Sequence, residues 1–167
     1  MDLTKDFEIT KFDRSLPTNT LKNLYLLNQE NTPEVGSIRN FESFVSLFYR
    51  SSINLLIEYK QQPIGFVICF RENLKYESLN YKYFNEIKKK FIYIDRVVIK
   101  SDYRRMGLGT RVYKYIDEVA AKESLPICCE VNSIPLNQIS FNFHAKNGFI
   151  KVGERDFEDH SVRYLEK

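Results

Sequence analysis

The sequence has no apolar run as long as a membrane-spanning helix requires, and it has no low-complexity tract. Its opening residues 1–6 (MDLTKD) lack the apolar core of a signal peptide. The chain has 167 residues, 43% of them hydrophobic, which is enough to form one substantial core. These features predict a single folded domain over residues 1–167, with no membrane partner.

Cysteine is scarce, with three residues at Cys69, Cys128 and Cys129. The number is odd and the spacing fits no metal-ligand motif, so we predict neither a disulfide framework nor a metal site. We interpret all three as buried thiols in a reducing cytoplasm, with a redox role as the less favoured alternative.

Neither sign of charge is in large excess, because 25 basic and 22 acidic residues leave a net charge of +3. That balance does not indicate a nucleic-acid partner. The one basic run, residues 88–90, is interpreted as a solvated helix end.

Residues 91–116 carry the strongest local pattern. Residues 91–99 are apolar and β-rich, which predicts a buried strand. A polar turn and the triplet Gly107-Leu108-Gly109 follow, and a helical stripe then begins at Leu108. Such a strand, glycine turn and helix start direct backbone N–H groups and the positive end of a helix dipole at one point. With Arg104 and Arg105 beside it, the turn predicts a phosphate-bearing ligand.

The remaining segments predict the order β α α β β (insert) β α β α β β, and hence an α+β fold: a mixed sheet with helices on both faces. Ser37 is the expected N-cap of the second helix, and Ile139 and Phe143 are expected to pack from the last one. Predicted strands are residues 6–12, 53–59, 63–71, 91–99, 126–131, 149–153 and 162–165. Predicted helices are residues 17–28, 37–50, about 80–90, a helix from 108, and 137–147.

Two common phosphate motifs are absent. A Walker A loop would need a glycine four residues before Gly-Lys-Ser/Thr, and a dinucleotide fingerprint would need a third glycine near Val112. The stretch Arg104–Gly109 (RRMGLG) instead resembles R/Q-x-x-G-x-G/A, the acyl-CoA signature of the GNAT superfamily of N-acyltransferases. Residues 137–149 (NQISFNFHAKNGF) resemble that family's later motif, N-x-x-A-x-x-x-Y-x-K-x-G-F. The element order also resembles the GNAT fold, with its mostly antiparallel central sheet, over nearly the whole chain, nearest to small bacterial members.

The resemblance implies that acetyl-CoA is the cosubstrate. Gly107 and Gly109 would let the backbone approach the pyrophosphate, and the residues around them would add N–H groups or charge. Main-chain groups of the preceding strand would lie along pantetheine, with one N–H holding the thioester oxygen. Ser140 replaces the family alanine. The implied cofactor residues are Val97, Val98, Ile99, Arg104, Arg105, Met106, Gly107, Leu108, Gly109, Thr110, Asn137 and Ser140.

His144 stands where the family usually has tyrosine, whose hydroxyl can protonate the leaving thiolate. A histidine can donate a proton near neutral pH, so His144 is one candidate catalytic residue. The alternative is a histidine that packs at the helix end and contacts its own backbone.

Asp95 is the candidate general base, because several family members use an acidic side chain on the central strand. It is expected to share a strand face with Tyr93, Val97 and Ile99, while Arg96 points the other way. The alternative is an ion pair or hydrogen bond that closes the sheet.

The acceptor is expected to be a primary amine on a small molecule, an amino acid or a peptide. The loop carboxylates Glu30 and Glu34 are candidates for attracting a cationic acceptor, or they are merely solvated. Tyr76, Asn80 and Tyr81 are candidates for lining the acceptor side. They lie in the aromatic segment, residues 72–90, which is either a lid or core packing. The resemblance implies an N-acetyltransferase, which we expect to be cytoplasmic and either monomeric or homodimeric. The alternative is a catalytically silent acyl-CoA-binding module.

Overall fold

The computed structural model describes residues 6–12 and 15–167. The expectation about a signal peptide concerned residues 1–6, most of which lie outside the described residues. The described residues form seven strands and five helices in the predicted order, with α3 inside the aromatic segment. In chain order they are β1 (Phe7–Lys11), α1 (Thr18–Glu30), α2 (Phe41–Arg50), β2 (Ile53–Tyr59), β3 (Gln62–Arg71), α3 (Leu79–Ile87), β4 (Ile92–Ile99), α4 (Leu108–Glu123), β5 (Ile127–Ile134), α5 (Gln138–Lys146), β6 (Ile150–Asp156) and β7 (Ser161–Glu166).

The strands are hydrogen-bonded in the order β1-β2-β3-β4-β5-β7-β6. The β4–β5 pair is parallel, whereas β1–β2, β2–β3, β5–β7 and β6–β7 are antiparallel. This mixed, mostly antiparallel sheet confirms the predicted fold class. The chain divides into two compact units, of which the first comprises Met1–Phe70 and Asp95–Val112, and the second Arg71–Ile94 and Tyr113–Lys167.

Two of the predicted strands pair as a hairpin in the first unit. Its strands β2 and β3 are joined at Lys60 and Gln61, whose φ angles are +48° and +63°. Two successive left-handed residues fit a two-residue hairpin whose twist matches that of its strands. On β3, Phe66 is fully buried and packs against Phe44 of α2 with ring centroids 5.5 Å apart. The hairpin therefore forms much of this unit's core.

The predicted start of α2 is wrong by three residues. Asn40, rather than Ser37, is the N-cap, and its Oδ1 accepts a hydrogen bond from the Ser43 N–H at 2.8 Å. Ile38 is buried and its N–H donates to the Gln29 side chain, so the chain before Asn40 belongs to the loop. Asn40 can replace Ser37 as the cap, because asparagine satisfies an open helix N–H as well as serine does.

The second unit contains a close approach that depends on glycine. Tyr83 of α3 stacks on Tyr164 of β7, with centroids 3.9 Å apart and planes inclined by 13°. Its hydroxyl donates to the Val152 carbonyl at 3.0 Å. A Cβ atom on Gly153 would lie 2.3 Å from that hydroxyl oxygen. Only glycine leaves room there for the ring.

The cysteine prediction is confirmed for burial, because Cys69, Cys128 and Cys129 are all buried free thiols. Burial, reinforced by the nearby Glu166 charge, raises the pKa of Cys128 to about 12, and burial also raises the pKa of Cys69. Thiols of this kind stay protonated and are poor nucleophiles.

The packing prediction for α5 is wrong at Ile139, whose side chain is 74% exposed, while Phe143 is half-buried. No helix of the described residues has both the length and the apolar character needed to cross a membrane.

Candidate active site

The glycine turn of the first unit has an open backbone. Arg105 and Gly107 have φ angles of +63° and +77°, and a Cβ atom on Gly107 would meet nothing within 4 Å. The Arg111 N–H donates to the Gly107 carbonyl at 3.1 Å, so helix α4 begins directly after this glycine. The N–H groups of a first helical turn have no acceptor within their own helix. The turn therefore has the shape and polarity that an anionic group such as a phosphate requires.

Arg104 supports the turn from the side. Its Nε donates to the Ile99 carbonyl at 3.1 Å, and its Nη2 donates to Oδ1 of Asn31. Both acceptors are neutral, so neither of them offsets the positive charge of the guanidinium beside the turn. Arg105, Met106 and Thr110 are exposed at the same place.

The strand before the turn alternates as predicted. Val97 and Ile99 are half-buried, whereas Val98 is 1% exposed. Strand β3 approaches closely at Gly65, where a Cβ atom would lie 2.5 Å from the Val98 carbonyl oxygen. The main chain of β4 is thus held tightly where the thioester is expected to lie.

Asp95 forms an ion pair with its neighbour. Arg96 Nε donates to Asp95 Oδ2 at 2.7 Å, and the two side chains are 7% and 4% exposed. The expectation that Arg96 points away from Asp95 is therefore wrong for its charged end, because the arginine side chain is long enough to turn back. This geometry is that of the ion-pair alternative.

The same arginine holds the loop between α1 and α2. Arg96 Nη1 donates to Asn28 Oδ1 at 2.8 Å and to the Gly36 carbonyl at 3.2 Å. Asn28 is fully buried. Between these anchors Glu30 and Glu34 are exposed, so an approaching cation can reach both.

Helix α5 of the second unit begins with a side-chain cap. Asn137 Oδ1 accepts a hydrogen bond from the Ser140 N–H at 3.1 Å. Gly148 follows the helix with a φ of +86°, the αL conformation that glycine favours after a helix end. Asn137 thus has a structural role in addition to the predicted cofactor contact.

His144 is buried, and both of its ring nitrogens are engaged. Nδ1 lies 2.8 Å from the Ser140 carbonyl, which can only accept, so Nδ1 carries the hydrogen. Nε2 lies 2.8 Å from the Tyr113 hydroxyl and, in the neutral ring, accepts its hydrogen. Burial lowers the pKa of His144 below its usual 6.5, against the opposing effect of the Ser140 hydrogen bond. A neutral histidine held in this way matches the packing alternative.

The aromatic segment of the second unit is mostly packed. Tyr81 is 1% exposed, and its hydroxyl donates to the Arg71 carbonyl at 2.8 Å and accepts from the Leu74 N–H at 2.8 Å. Tyr76 is half-buried against it, with ring centroids 5.7 Å apart. Asn80 is half-buried and accepts a hydrogen bond from Tyr164 at 3.1 Å. Tyr81 therefore has the contacts of a core residue, while Tyr76 and Asn80 remain partly accessible.

A family model described as the acetyltransferase (GNAT) family matches residues 20–149, which is most of the chain. The chain belongs to the GNAT acetyltransferase family. The resemblance of its two motifs is thus confirmed at the level of the family, which also supports acetyl-CoA as the cosubstrate of this GNAT domain.

Solved structures show the same fold at low identity. Arabidopsis thaliana Naa50, in complex with the bisubstrate analogue CoA-Ac-MVNAL, is 16% identical with a TM-score of 0.70, over 97% of this chain and 98% of that one. The Escherichia coli ribosomal-protein-S18-alanine N-acetyltransferase is also 16% identical, with a TM-score of 0.69 over 96% and 92%. Arabidopsis thaliana NAA60 with acetyl-CoA is 12% identical, with a TM-score of 0.72 over 96% and 98%. A sequence search of curated proteins finds no match.

Several residues that organise this GNAT domain were not predicted from the sequence. Asn28 and Asn31 hold the two arginines, and Tyr113 holds His144. An asparagine within a helical pattern, or a tyrosine within an apolar stripe, does not indicate which distant side chain it will contact.

Proposed function

We propose that this protein is an acetyl-CoA-dependent N-acetyltransferase that transfers the acetyl group to a primary amine by direct attack on the thioester. The observation that carries the proposal is the open turn at Gly107, in a chain that belongs to the GNAT family. Structural neighbours bound to acetyl-CoA or to a CoA-peptide analogue support the same donor.

The residues of the first unit would bind the donor. The N–H groups of Leu108, Gly109 and Thr110 and the charges of Arg104 and Arg105 suit the pyrophosphate, since anions are favoured at a helix N-terminus. Gly107 and Met106 shape the approach to it. Main-chain groups of Val97, Val98 and Ile99 suit pantetheine and the thioester oxygen.

In the second unit, Asn137 and Ser140 at the start of α5 are the proposed cofactor contacts. The reaction forms a bond from the amine nitrogen to the acetyl carbon, breaks the C–S bond, removes one proton from nitrogen and leaves a thiolate. A thiol has a pKa of about 8.5, so its thiolate leaves without strong acid assistance. We therefore assign His144 the part of a packing residue that fixes α5, not of a proton donor.

The acceptor amine decides how much base assistance is needed. An α-amino group with a pKa of about 7.7–8.0 costs roughly 1 kcal/mol to deprotonate at pH 7. A lysine-type amine with a pKa of about 10.4 costs about 4.6 kcal/mol. One neighbour is named a ribosomal-protein-S18-alanine N-acetyltransferase, and another is in complex with the bisubstrate analogue CoA-Ac-MVNAL. Both names favour a peptide α-amine, with amino acids and small amines as the other candidates.

The alternative is an acyl-CoA-binding module without catalysis. It is tested by following thiol release from acetyl-CoA over a panel of amines: the peptide Met-Val-Asn-Ala-Leu, Nα-acetyl-lysine amide and 1,4-diaminobutane. Acetyl-CoA binding is measured in parallel by calorimetry. We expect amine-dependent thiol release; a protein that binds acetyl-CoA and is inert with every amine would establish the binding module instead.

A further inference from the structure

Two arginines of the first unit are held in contrasting ways. Arg96 is buried and forms an ion pair with Asp95. Arg104 is exposed, and its acceptors are the Ile99 carbonyl and Oδ1 of Asn31, both of them neutral. Among the described residues no carboxylate forms an ion pair with Arg104. The charge of Arg96 is therefore balanced inside the protein, whereas the charge of Arg104 is left for an anion.

The side chain of Asn31 is fixed in one orientation. Its Nδ2 donates to the Leu27 carbonyl at 2.7 Å, so Oδ1 is the atom that meets Arg104. Its backbone N–H donates to the Asn28 carbonyl at 3.0 Å, and its own carbonyl accepts from the Val35 N–H at 3.1 Å. The residue is 9% exposed. These contacts make Asn31 a rigid support for the guanidinium.

The support uses only part of the guanidinium. The planar group has five N–H donors, of which Nε–H and one hydrogen of Nη2 are engaged. In the part of the chain that the structure describes, both hydrogens of Nη1 and the second hydrogen of Nη2 have no protein acceptor. Nη1 and Nη2 together form the end of the group that can bind two phosphate oxygens at once.

The neutrality of Asn31 matters as much as its position. A carboxylate at this place would also hold the guanidinium, but it would form an ion pair and offset the charge that attracts a phosphate. An amide oxygen accepts the same hydrogen bond and leaves that charge in place. Arg104 lies three residues before Gly107, whose turn has the open backbone and polarity that suit an anion. The asparagine therefore serves binding at the turn in a way that an aspartate could not.

We propose that Asn31 is a positioning residue for acetyl-CoA: its amide oxygen holds Arg104 at the glycine turn without offsetting its charge, so that the remaining N–H donors bind the pyrophosphate. The inference rests on the proposed function. Asn31 acts through Arg104 and takes no part in the transfer of the acetyl group. Its loss should therefore raise the Kd and the KM of acetyl-CoA and leave kcat at saturating donor unchanged.

The binding test measures the Kd of acetyl-CoA by calorimetry. Asn31→Ala removes one hydrogen bond to the guanidinium and should raise Kd about 2–10-fold. Asn31→Asp offsets the charge, and Arg104→Gln removes it, so each should raise Kd about 10–100-fold. When Asn31→Ala is added to Arg104→Gln, Kd should rise no further, because the residue that Asn31 positions is already gone.

A matched control makes the same chemical change elsewhere on α1. Asn23→Asp also adds one negative charge, at an exposed residue eight positions before Asn31. That separation is about 12 Å along a helix, which exceeds the screening length of about 8 Å at physiological salt. The Kd of Asn23→Asp should stay within about twofold of the wild-type value. An equal rise in Asn23→Asp and Asn31→Asp would show a general effect of charge and overturn the inference.

A series of donors tests which part of acetyl-CoA depends on Asn31. We compare kcat/KM for acetyl-CoA, for acetyl-dephospho-CoA, which lacks the 3′-phosphate, and for acetyl-pantetheine, which has no phosphate. Asn31→Ala and Asn31→Asp should lower the first two values alike and leave the third unchanged. Equal losses with all three donors would show a merely structural role. A loss confined to acetyl-CoA would assign Arg104 to the 3′-phosphate, and either result overturns the inference.

The outcomes separate this inference from the proposed function. If wild type acetylates an amine and folded Asn31→Asp binds acetyl-CoA within about twofold of wild type, the inference is overturned and the proposed function stands. If wild type binds acetyl-CoA but acetylates no amine, the proposed function fails, while weaker binding by Asn31→Asp would still support the inference. Circular dichroism checks that each variant is folded. If both variants of the buried Asn31 unfold, the exposed Arg104→Gln decides: unchanged binding of acetyl-CoA there overturns the inference.

Discussion

The buried pair of Asp95 and Arg96 gives a sharp test of whether Asp95 is structural or catalytic. Asp95→Asn leaves the guanidinium of Arg96 buried without its counter-ion, although Asn28 and Gly36 still accept from it. Breaking a buried pair by removing one partner costs about 3–5 kcal/mol. For a chain of this length, about 2–4 °C of Tm is lost per kcal/mol, so Tm should fall by about 6–20 °C.

A matched control is available at the surface. Lys151 and Glu154 form a pair whose side chains are 46% and 63% exposed, and such pairs contribute about 0–1 kcal/mol. Urea unfolding followed by circular dichroism should therefore separate Asp95→Asn from Glu154→Gln by at least about 2 kcal/mol. If the two variants unfold at the same urea concentration, the structural account of Asp95 is wrong.

Activity then distinguishes the two roles of Asp95. Below the unfolding transition, for example at 15 °C, a purely structural residue leaves kcat nearly unchanged in the folded fraction. A general base would lower kcat by about 10²–10⁴-fold in protein that is still folded. We expect a change of less than fivefold; a loss of 100-fold or more in folded Asp95→Asn would restore Asp95 as the base.

Two further predictions concern the second unit. Gly153→Ala places a methyl group against Tyr83 and should lower the free energy of unfolding, measured in urea, by about 1–3 kcal/mol. Gly36→Ala, where a Cβ atom would meet nothing within 4 Å, should change it by no more than about 0.5 kcal/mol. Equal effects of the two substitutions would refute the steric account. His144 has a pKa lowered by burial, so its unfolded form takes up a proton at a higher pH than its folded form. The stability that neutral His144 provides is complete above its unfolded pKa of about 6.5 and is lost as the pH falls from there through the lower folded pKa. Urea midpoints at pH 7, 6 and 5 should therefore decline more steeply in wild type than in His144→Gln, and parallel declines would contradict the reasoning.

The glycine turn could be predicted because all of its information is local. Residues 91–109 contain a β-rich run, then two arginines, then two glycines. The run predicts a strand, the arginines supply positive charge, and the glycines allow unusual backbone conformations. The element order followed from the same kind of short-range pattern. Only boundaries shifted, as at Asn40, where two polar residues competed for one cap.

The side-chain partners could not be predicted, because they join distant parts of the sequence. Arg96 meets Asn28 across 68 positions, and Tyr113 meets His144 across 31. Strand periodicity placed Arg96 on the face opposite Asp95, yet its Nε still reaches that carboxylate, because periodicity describes Cβ directions and not the ends of long side chains. Asp95 was a candidate from its place on the central strand and His144 from the motif, and neither pattern shows which side chains contact them.

The double anchoring of the α1–α2 loop limits which of its residues can be replaced. Arg96 holds Asn28 on one side of the loop and Gly36 on the other, and Arg104 holds Asn31. Replacing residues that make none of these contacts, such as Glu30 and Glu34, changes the exposed charge while the arginine contacts stay in place. A graft that includes Asn28 or Asn31 would remove the acceptor of a buried or turn-supporting arginine. Substitutions in this loop should therefore be confined to residues 32–35 and position 30, and should keep both asparagines fixed.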